Sequence, residues 1–170
     1  MSYIDNVKTS IRALTFKEDA LNELANNEQA TVYGFLTLAI AGIIPSLVTL
    51  SLLGVIVSPI FLIIFFIIGY SIYHAIAKFL LGGQATGTQY FRSLSNCFIL
   101  NWLNIIPFVQ IITGLWLLAL NIFILNKIHK LSMVKAVLLG LLPMVIIAVL
   151  VALGAMAYFA VLSPSKFLPA

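Results

Sequence analysis

Few side chains in the apolar part of the sequence could act as nucleophiles, bases or metal ligands. His74, His129 and Cys97 lie far apart, and none has the spacing of a His-x3-His or Cys-x2-Cys metal site. Ser71 and His74 would share a helix face, but a nucleophilic site needs a third group that orients the base. The pattern predicts a non-enzymatic protein without metal or cofactor, with His129 solvated in a loop and Cys97 buried and inert.

The charges are distributed very unevenly along the chain. All five acidic residues precede position 30, and none follows Gln29, whereas six of the basic residues do: Lys78, Arg92, Lys127, Lys130, Lys135 and Lys166. Proton-coupled transport and intramembrane aspartyl proteolysis need carboxylates inside the membrane, so both classes are largely excluded. The run from Gly82 to Gly87 superficially resembles a phosphate loop, but no strand precedes it, and we interpret it as a flexible connector.

A stripe of polar side chains is the main feature of the apolar region. Ser93, Cys97, Asn101 and Asn104 recur at steps of four, four and three residues, which places them on one face of a helix, with Asn96 nearby. Asparagine commonly forms hydrogen bonds between membrane helices, and Asn121 of the following span is a candidate partner. The stripe therefore favours a structural contact, and the alternative is a polar lining for a small solute or lipid headgroup.

The composition determines the fold class. Hydrophobic residues make up 62% of the 170 positions and charged residues 8%, with a mean hydropathy of +1.15. Soluble domains are far less apolar. We therefore predict an all-α integral membrane bundle that forms a single domain.

The long uncharged runs predict five spans. The run from Ala30 to Ala77 is long enough for two crossings of about 20 residues each. The run from Ser93 to Asn126 would measure about 50 Å as one straight helix, and Pro107 interrupts it, which favours a hairpin. The predicted spans are Val32 to Leu53, Pro59 to Phe79, Tyr90 to Ile106, Phe108 to Leu125 and Met133 to Leu162.

The first 29 residues predict two short amphipathic helices outside the five-span domain of residues 30–170. Ile4, Val7, Ile11 and Leu14 have helical spacing, and Thr15 with Glu18 forms a capping-box pattern that would begin the second helix. These helices would lie either on the membrane surface or on the cytoplasmic face of the bundle, and the pattern does not separate the two.

The positive-inside rule predicts the orientation. With five spans, one side of the membrane carries Lys166 alone, and the N-terminal side carries the other basic residues: Lys8, Arg12, Lys17, Lys78, Arg92, Lys127, Lys130 and Lys135. The N-terminus is therefore expected in the cytoplasm and the C-terminus outside.

Two motifs in the second half carry a resemblance to a known family. The first is Leu81-Gly82-Gly83-x-x-Thr86-Gly87-Thr88-x-x-Phe91-Arg92-x-Leu94. The second combines Ile106-Pro107-Phe108 and Trp116 with Asn126-Lys127-Ile128-His129-Lys130-Leu131-Ser132-x-x-Lys135-Ala136. Over residues 80–150 the sequence resembles the Yip1-domain family of membrane proteins, with Gly82, Gly83, Gly87, Pro107 and Trp116 as signature positions.

The resemblance implies five spans with a cytoplasmic N-terminus. Eukaryotic members act in vesicle trafficking and associate with prenylated small GTPases, but their long N-terminal region with an Asp-Leu-Tyr-Gly-Pro motif is missing here. The short N-terminus looks like that of prokaryotic members, which implies a prokaryotic cell membrane and a role in assisting other membrane complexes.

Two functional hypotheses follow. The first is a membrane scaffold or accessory subunit whose basic cytoplasmic face binds a partner protein or anionic lipid through Arg92, Lys127, His129, Lys130 and Lys135; alternatively these charges only set the topology. The second is a transporter or channel for a small solute or lipid, acting as an oligomer through the asparagine-lined interior. The expected partners are membrane lipid, another membrane complex or a second copy, and not nucleic acid.

Overall fold

The computed structural model describes residues 2–106 and 108–162, so the predicted roles of Pro107 and Lys166 lie outside the described residues. The chain divides into two compact units, Met1–Gly140 and Leu141–Ala170. The first unit contains all of the sites discussed below. The second consists, in its described part, of the continuation of the last helix.

Helices account for all the regular structure in the described ranges. They are α1 (Tyr3–Ala13), α2 (Glu18–Asn26), α3 (Ala30–Val48), α4 (Leu52–Ala75) with a π-helical continuation (Ile76–Leu80), α5 (Gly87–Cys97) with a 3₁₀ continuation (Phe98–Ile105), α6 (Val109–Lys127) and α7 (Met133–Leu162). The predicted all-α fold class is confirmed.

Four helical segments in the described part of the chain are long and apolar enough to cross a membrane: Ala30–Val48, Leu52–Leu80, Val109–Lys127 and Met133–Tyr158. In the second segment, Leu52–Leu80, only 6% of the apolar 18-residue stretch that could span the membrane is buried within the protein. Such an apolar surface would be unfavourable in water but suits a hydrocarbon environment. The chain is therefore an integral membrane protein.

The predicted third span, Tyr90 to Ile106, is not among these four segments. Its first half is α5, an amphipathic helix whose serine and asparagine side chains are buried against protein. Its second half is the 3₁₀ segment Phe98–Ile105. Because protein groups bond to polar side chains such as Ser93 and Asn96, the segment does not need the uniformly apolar composition of a lipid-facing span. Length and composition therefore do not confirm the predicted number of five spans.

The N-terminal helices pack on the bundle. Leu21 and Leu24 of α2 are fully buried, as is Asn6 of α1, while Ile4 and Ile11 remain exposed. Of the two predicted arrangements, packing on the bundle is the one observed, with an apolar face of α1 left outward.

The predicted capping box at the start of α2 is wrong. Lys17 occupies the N-cap without a side-chain hydrogen bond, and the Thr15 hydroxyl donates instead to the Arg12 carbonyl oxygen at 2.8 Å. Phe16 adopts a left-handed backbone (φ 60°), which turns the chain between the two helices. A capping box does occur in α1, where Ser2 and Asp5 bond reciprocally.

Helix α5 lies at the centre of the first unit. Tyr90 and Cys97 on it are fully buried, and its neighbours are α1, α2, α3, α4 and α6. Gly34 of α3 permits the close approach, because a Cβ there would overlap the Ser95 hydroxyl. The amphipathic helix α5 is therefore the one around which α1, α2, α3, α4 and α6 pack.

Candidate functional site at the charged end of the bundle

The charged end of the bundle is defined by two connectors, residues 81–86 and residues 128–132, which meet next to the end of α4. Backbone N–H of Gln84 donates to the His129 carbonyl oxygen at 2.9 Å, and N–H of Gly83 donates to the Ala77 carbonyl oxygen at 2.7 Å. The Lys135 ammonium group donates to the Leu81 carbonyl oxygen at 2.9 Å. The ends of α4 and α6 are thus held at the same end of the bundle.

The two histidines of the chain meet at this place. Nδ1 of His74 lies 3.3 Å from Nε2 of His129, and the ring centroids are 5.1 Å apart. The Tyr90 ring packs edge-on to His129 at 5.0 Å. His129 is fully buried, so its interpretation as a solvated loop residue is wrong. The reason is tertiary: α4 and α6 both end here, which brings together residues 55 positions apart.

Glycines make room for this histidine pair. A Cβ at Gly83 would lie 2.6 Å from Nδ1 of His129 and 2.8 Å from the Ala77 carbonyl oxygen, so a larger residue would displace one of them. Gly82 has φ +79°, a conformation that favours glycine. The segment predicted as a flexible connector is therefore a close-packed turn, and Gly87 follows it at the capped start of α5.

The histidine pair sits in an environment that opposes positive charge. Burial, together with the neighbouring His74 and Lys78, lowers the pKa of His129 to about 4. Nδ1 of His129 has no hydrogen-bond partner. Within residues 2–106 and 108–162, no group of three or more His, Cys, Asp or Glu side chains lies together as a metal site would require. At neutral pH the pair can form an uncharged hydrogen bond between the end of α4 and the connector of residues 128–132.

The lysines of the predicted basic face lie around this pair at the surface. Lys127 Nζ lies 2.8 Å from Oε2 of Glu18, and Lys130 Nζ lies 3.9 Å from Oε1 of the same carboxylate. The Lys127 contact lowers the pKa of Glu18, more than burial raises it. One acidic residue of α2 thus pairs with the last lysine of α6 and with a lysine of the following connector, which leaves an excess of positive charge.

Arg92 and His129 differ from the other three residues of the predicted contact set. The Arg92 Nε donates to the Thr31 hydroxyl at 2.7 Å, and its Nη1 donates to the Ala25 carbonyl oxygen at 3.3 Å. Arg92 thus joins α5 to the corner between α2 and α3. Arg92 is committed to this corner and His129 is buried, whereas Lys130 and Lys135 are exposed and Lys127 is half-buried beside Glu18.

The predicted polar stripe does not continue along one face. Ser93 donates to its own helix at the Gln89 carbonyl oxygen, and Cys97 is fully buried. The 3₁₀ segment that begins at Phe98 has three residues per turn, which rotates Asn101 and Asn104 away from the α-helical register. Asn104 accepts from the Thr113 hydroxyl of α6 at 2.6 Å and donates to Asn101 at 3.3 Å.

Asn121 does not pair with the stripe. Its Oδ1 accepts from the Tyr90 hydroxyl at 2.6 Å, a fully buried contact between α5 and α6.

Asn96, which the sequence placed only near the stripe, is the central polar residue of the interior. Its Nδ2 donates to the Ala30 and Arg92 carbonyl oxygens at 2.8 Å each, and its Oδ1 accepts from Asn6 Nδ2 at 2.7 Å. Asn6 lies on the polar side of α1, which in an amphipathic helix usually faces water, so its burial against Asn96 could not be predicted from the pattern. The interior polar groups bind one another, as interhelical contacts do.

Trp116, a position of the family signature, anchors the N-terminal region. Its Nε1 donates to the Leu14 carbonyl oxygen at 2.9 Å, and its ring lies 5.4 Å from that of Phe16. The turn between α1 and α2 is therefore held against the middle of α6.

Comparisons of the chain with protein-family models, with curated proteins and with solved structures gave no match.

Proposed function

We propose that this protein is a non-enzymatic membrane scaffold or accessory subunit of the Yip1-like type, whose charged end binds anionic lipid headgroups. The observation that carries the proposal is the contrast between the polar side chains of the interior and the lysines of the charged end. Interior polar side chains such as Asn96, Asn104 and Asn121 bond to other protein groups, whereas Lys127, Lys130 and Lys135 surround two interlocked connectors at the surface. The first unit thus combines a hydrogen-bonded interior with a polar, cationic end.

The proposal includes a fifth crossing by residues 87–105. The hydrogen bond between Gln84 and His129 supports it, because it holds the ends of α4 and α6 at one end of the bundle. If both helices cross the bilayer, α6 must begin on the opposite side, and the chain between them must return across it. The α5 and 3₁₀ segments together span about 32 Å at their usual rises per residue, which suits a hydrocarbon core of about 30 Å.

The charge distribution supports an orientation with the charged end in the cytoplasm. The connectors that meet at the end of α4 carry Lys127 on their border, Lys130 within them and Lys135 just beyond them. Cytoplasmic loops are enriched in lysine and arginine. The family resemblance adds a prokaryotic cell membrane as the location, with the C-terminus outside.

Anionic lipid is the ligand that these lysines favour. Lys130 is 53% exposed and its contact with Glu18 is long, so its ammonium group can also reach a phosphate. Basic residues near a membrane surface contribute about 1 kcal/mol each to attraction for anionic lipid. Lys78 follows His74 at the end of α4 and is exposed at the same end.

Transport through an asparagine-lined interior has less support. The side chains that would line such a path are paired: Asn104 with Thr113, and Asn121 with Tyr90. Moving a solute past them would require these buried hydrogen bonds to break.

Lipid selectivity in reconstituted membranes tests the proposal. We expect the purified full chain in nanodiscs of mixed phosphatidylglycerol and phosphatidylcholine to enrich the anionic lipid around it. The variant K127Q/K130Q/K135Q should lose most of this enrichment, whereas K8Q, which removes an exposed lysine of α1, should keep it. Equal enrichment in the triple variant would contradict the proposal. So would a protein cross-linked to these lysines in native membranes without any lipid preference.

A further inference from the structure

A cleft separates α4 from α6 within the apolar part of the first unit. It has a volume of about 400 Å³, and its floor is formed by Leu94 and Phe98 of α5 and its 3₁₀ continuation. Phe65 and Phe66 line the α4 side, and Leu117 lies on the α6 side. Both walls belong to segments that are long and apolar enough to cross a membrane, so the cleft lies at the depth of the lipid chains.

The cleft has one polar end. Tyr73 and Asn121 lie there, and the Tyr73 hydroxyl donates to the Gly140 carbonyl oxygen at 3.2 Å. Leu62 lies eleven positions earlier on α4 than Tyr73, which corresponds to about 16 Å along the helix. The lining thus changes from hydrocarbon to hydroxyl and amide groups over the length of the cleft.

Glycines on both walls keep the cleft open. A Cβ at Gly69 of α4 or at Gly114 of α6 would meet no atom within 4 Å. Neither glycine has the positive φ that would require it, and neither permits a close helix contact. Glycine in a helix costs about 1 kcal/mol relative to alanine. These two glycines are therefore required neither by the backbone conformation nor by a close helix contact. They indicate that the space between them is occupied by something other than this unit's own side chains.

We propose that this cleft binds one acyl chain of a membrane glycerolipid, with the ester carbonyl at the side-chain amide of Asn121. The apolar lining excludes water as the occupant. The surrounding bilayer supplies acyl chains, and such a chain has the polarity of the cleft: hydrocarbon along its length and a carbonyl group at one end. The volume lies within the range of about 300–1,000 Å³ that is usual for ligand pockets. This site is separate from the lysines of the charged end and does not depend on them.

The two glycines provide the test, because filling the cleft should not disturb the fold. The full chain would be reconstituted in phosphatidylcholine liposomes that contain a trace of phosphatidylcholine with a diazirine in one acyl chain, and adducts would be mapped by mass spectrometry. In the wild-type protein we expect adducts at Leu62 and Leu118 to exceed those at Ile68 and Leu115, which are also exposed to lipid. In G69L/G114L the cleft adducts should fall to the level of Ile68 and Leu115.

Gly154 offers a matched control, since a Cβ there also meets no atom within 4 Å and it lies outside the cleft. We expect G154L to give the same lipid adducts in the cleft as the wild-type protein. If the double variant does not fold, G69L and G114L alone must each lower the cleft adducts. Cleft adducts no more frequent than those at Ile68, or unchanged in the filled variants, would overturn the proposal. A photoreactive side chain at position 118 that cross-links to a second copy or to residues 141–158, and not to lipid, would do the same.

Discussion

At the scale of single residues, the histidine pair shows what spacing can and cannot reveal. His74 and His129 have no motif in common, and no local pattern places them 3.3 Å apart. Their meeting depends on two helices ending at the same end of the bundle, which is information held by the whole fold. Gly83 was visible in the sequence as part of a glycine-rich run, but its reason, space for Nδ1 of His129, was not.

The burial of His129 predicts that acid destabilises the protein before its carboxylates titrate. The pKa of His129 falls from 6.5 to about 4 on folding, so between these values the unfolded chain binds more protons than the folded one. The contribution of His129 to stability should therefore be constant above pH 6.5 and decrease as the pH is lowered from 6.5 towards 4. Thermal unfolding in detergent at a series of pH values measures this.

The variant H129Q separates this effect from other titrations. It should have a lower melting temperature at pH 7 but a flatter pH dependence between 6.5 and 4.5. The lowered pKa of Glu18 acts at lower pH, because its ion pair with Lys127 is lost only as the carboxylate is protonated. An unchanged slope in H129Q would show that His129 is not the group responsible.

At the scale of elements, the helices that face lipid were predicted from the sequence more accurately than the helix that faces protein. The spans α3, α4, α6 and α7 were predicted because lipid requires an uninterrupted apolar run, which is visible in the sequence. The predicted third span, which begins in α5, is not confirmed by length and composition, because buried polar residues such as Asn96 are satisfied by protein and lower its hydropathy. The 3₁₀ continuation also changes the number of residues per turn. The polar stripe was predicted with α-helical spacing, so it does not continue beyond Phe98. Hydropathy does not show which side chains pair across helices, so these contacts were not predicted correctly.

The docking of α1 on α5 includes one buried amide pair, Asn6 with Asn96. Asn96→Leu removes the acceptor of Asn6 Nδ2 and leaves that donor buried without a partner, which costs about 1–3 kcal/mol. We expect α1 to open more often in this variant, with faster amide hydrogen exchange in residues 3–13 and unchanged exchange in α6. The exposed Ile4→Ser on the same helix serves as the control, and it should exchange as the wild type does. Equal exchange in Asn96→Leu and wild type would show that other contacts hold α1.

At the scale of the whole molecule, the number of crossings decides what each surface can contact. Four segments qualify as spans by length and composition, whereas the bond between Gln84 and His129 favours a fifth crossing through residues 87–105. With five crossings the turn at Leu50 and the start of α6 lie on one side, and both connectors of the charged end lie on the other. With four, α6 would begin on the same side as the charged end or would not cross fully.

Cysteine accessibility distinguishes the two arrangements. Cys97 is fully buried, so single cysteines can be introduced at Ser51, Phe108, Gln84 and Lys130 in a Cys97→Ala background. Five crossings predict that a membrane-impermeant maleimide labels positions 51 and 108 from outside intact cells, and positions 84 and 130 only in inverted vesicles. Labelling of position 108 together with position 130 would contradict the fifth crossing. Labelling of position 130 from outside would reverse the orientation and place the lysines of the charged end away from the anionic cytoplasmic leaflet.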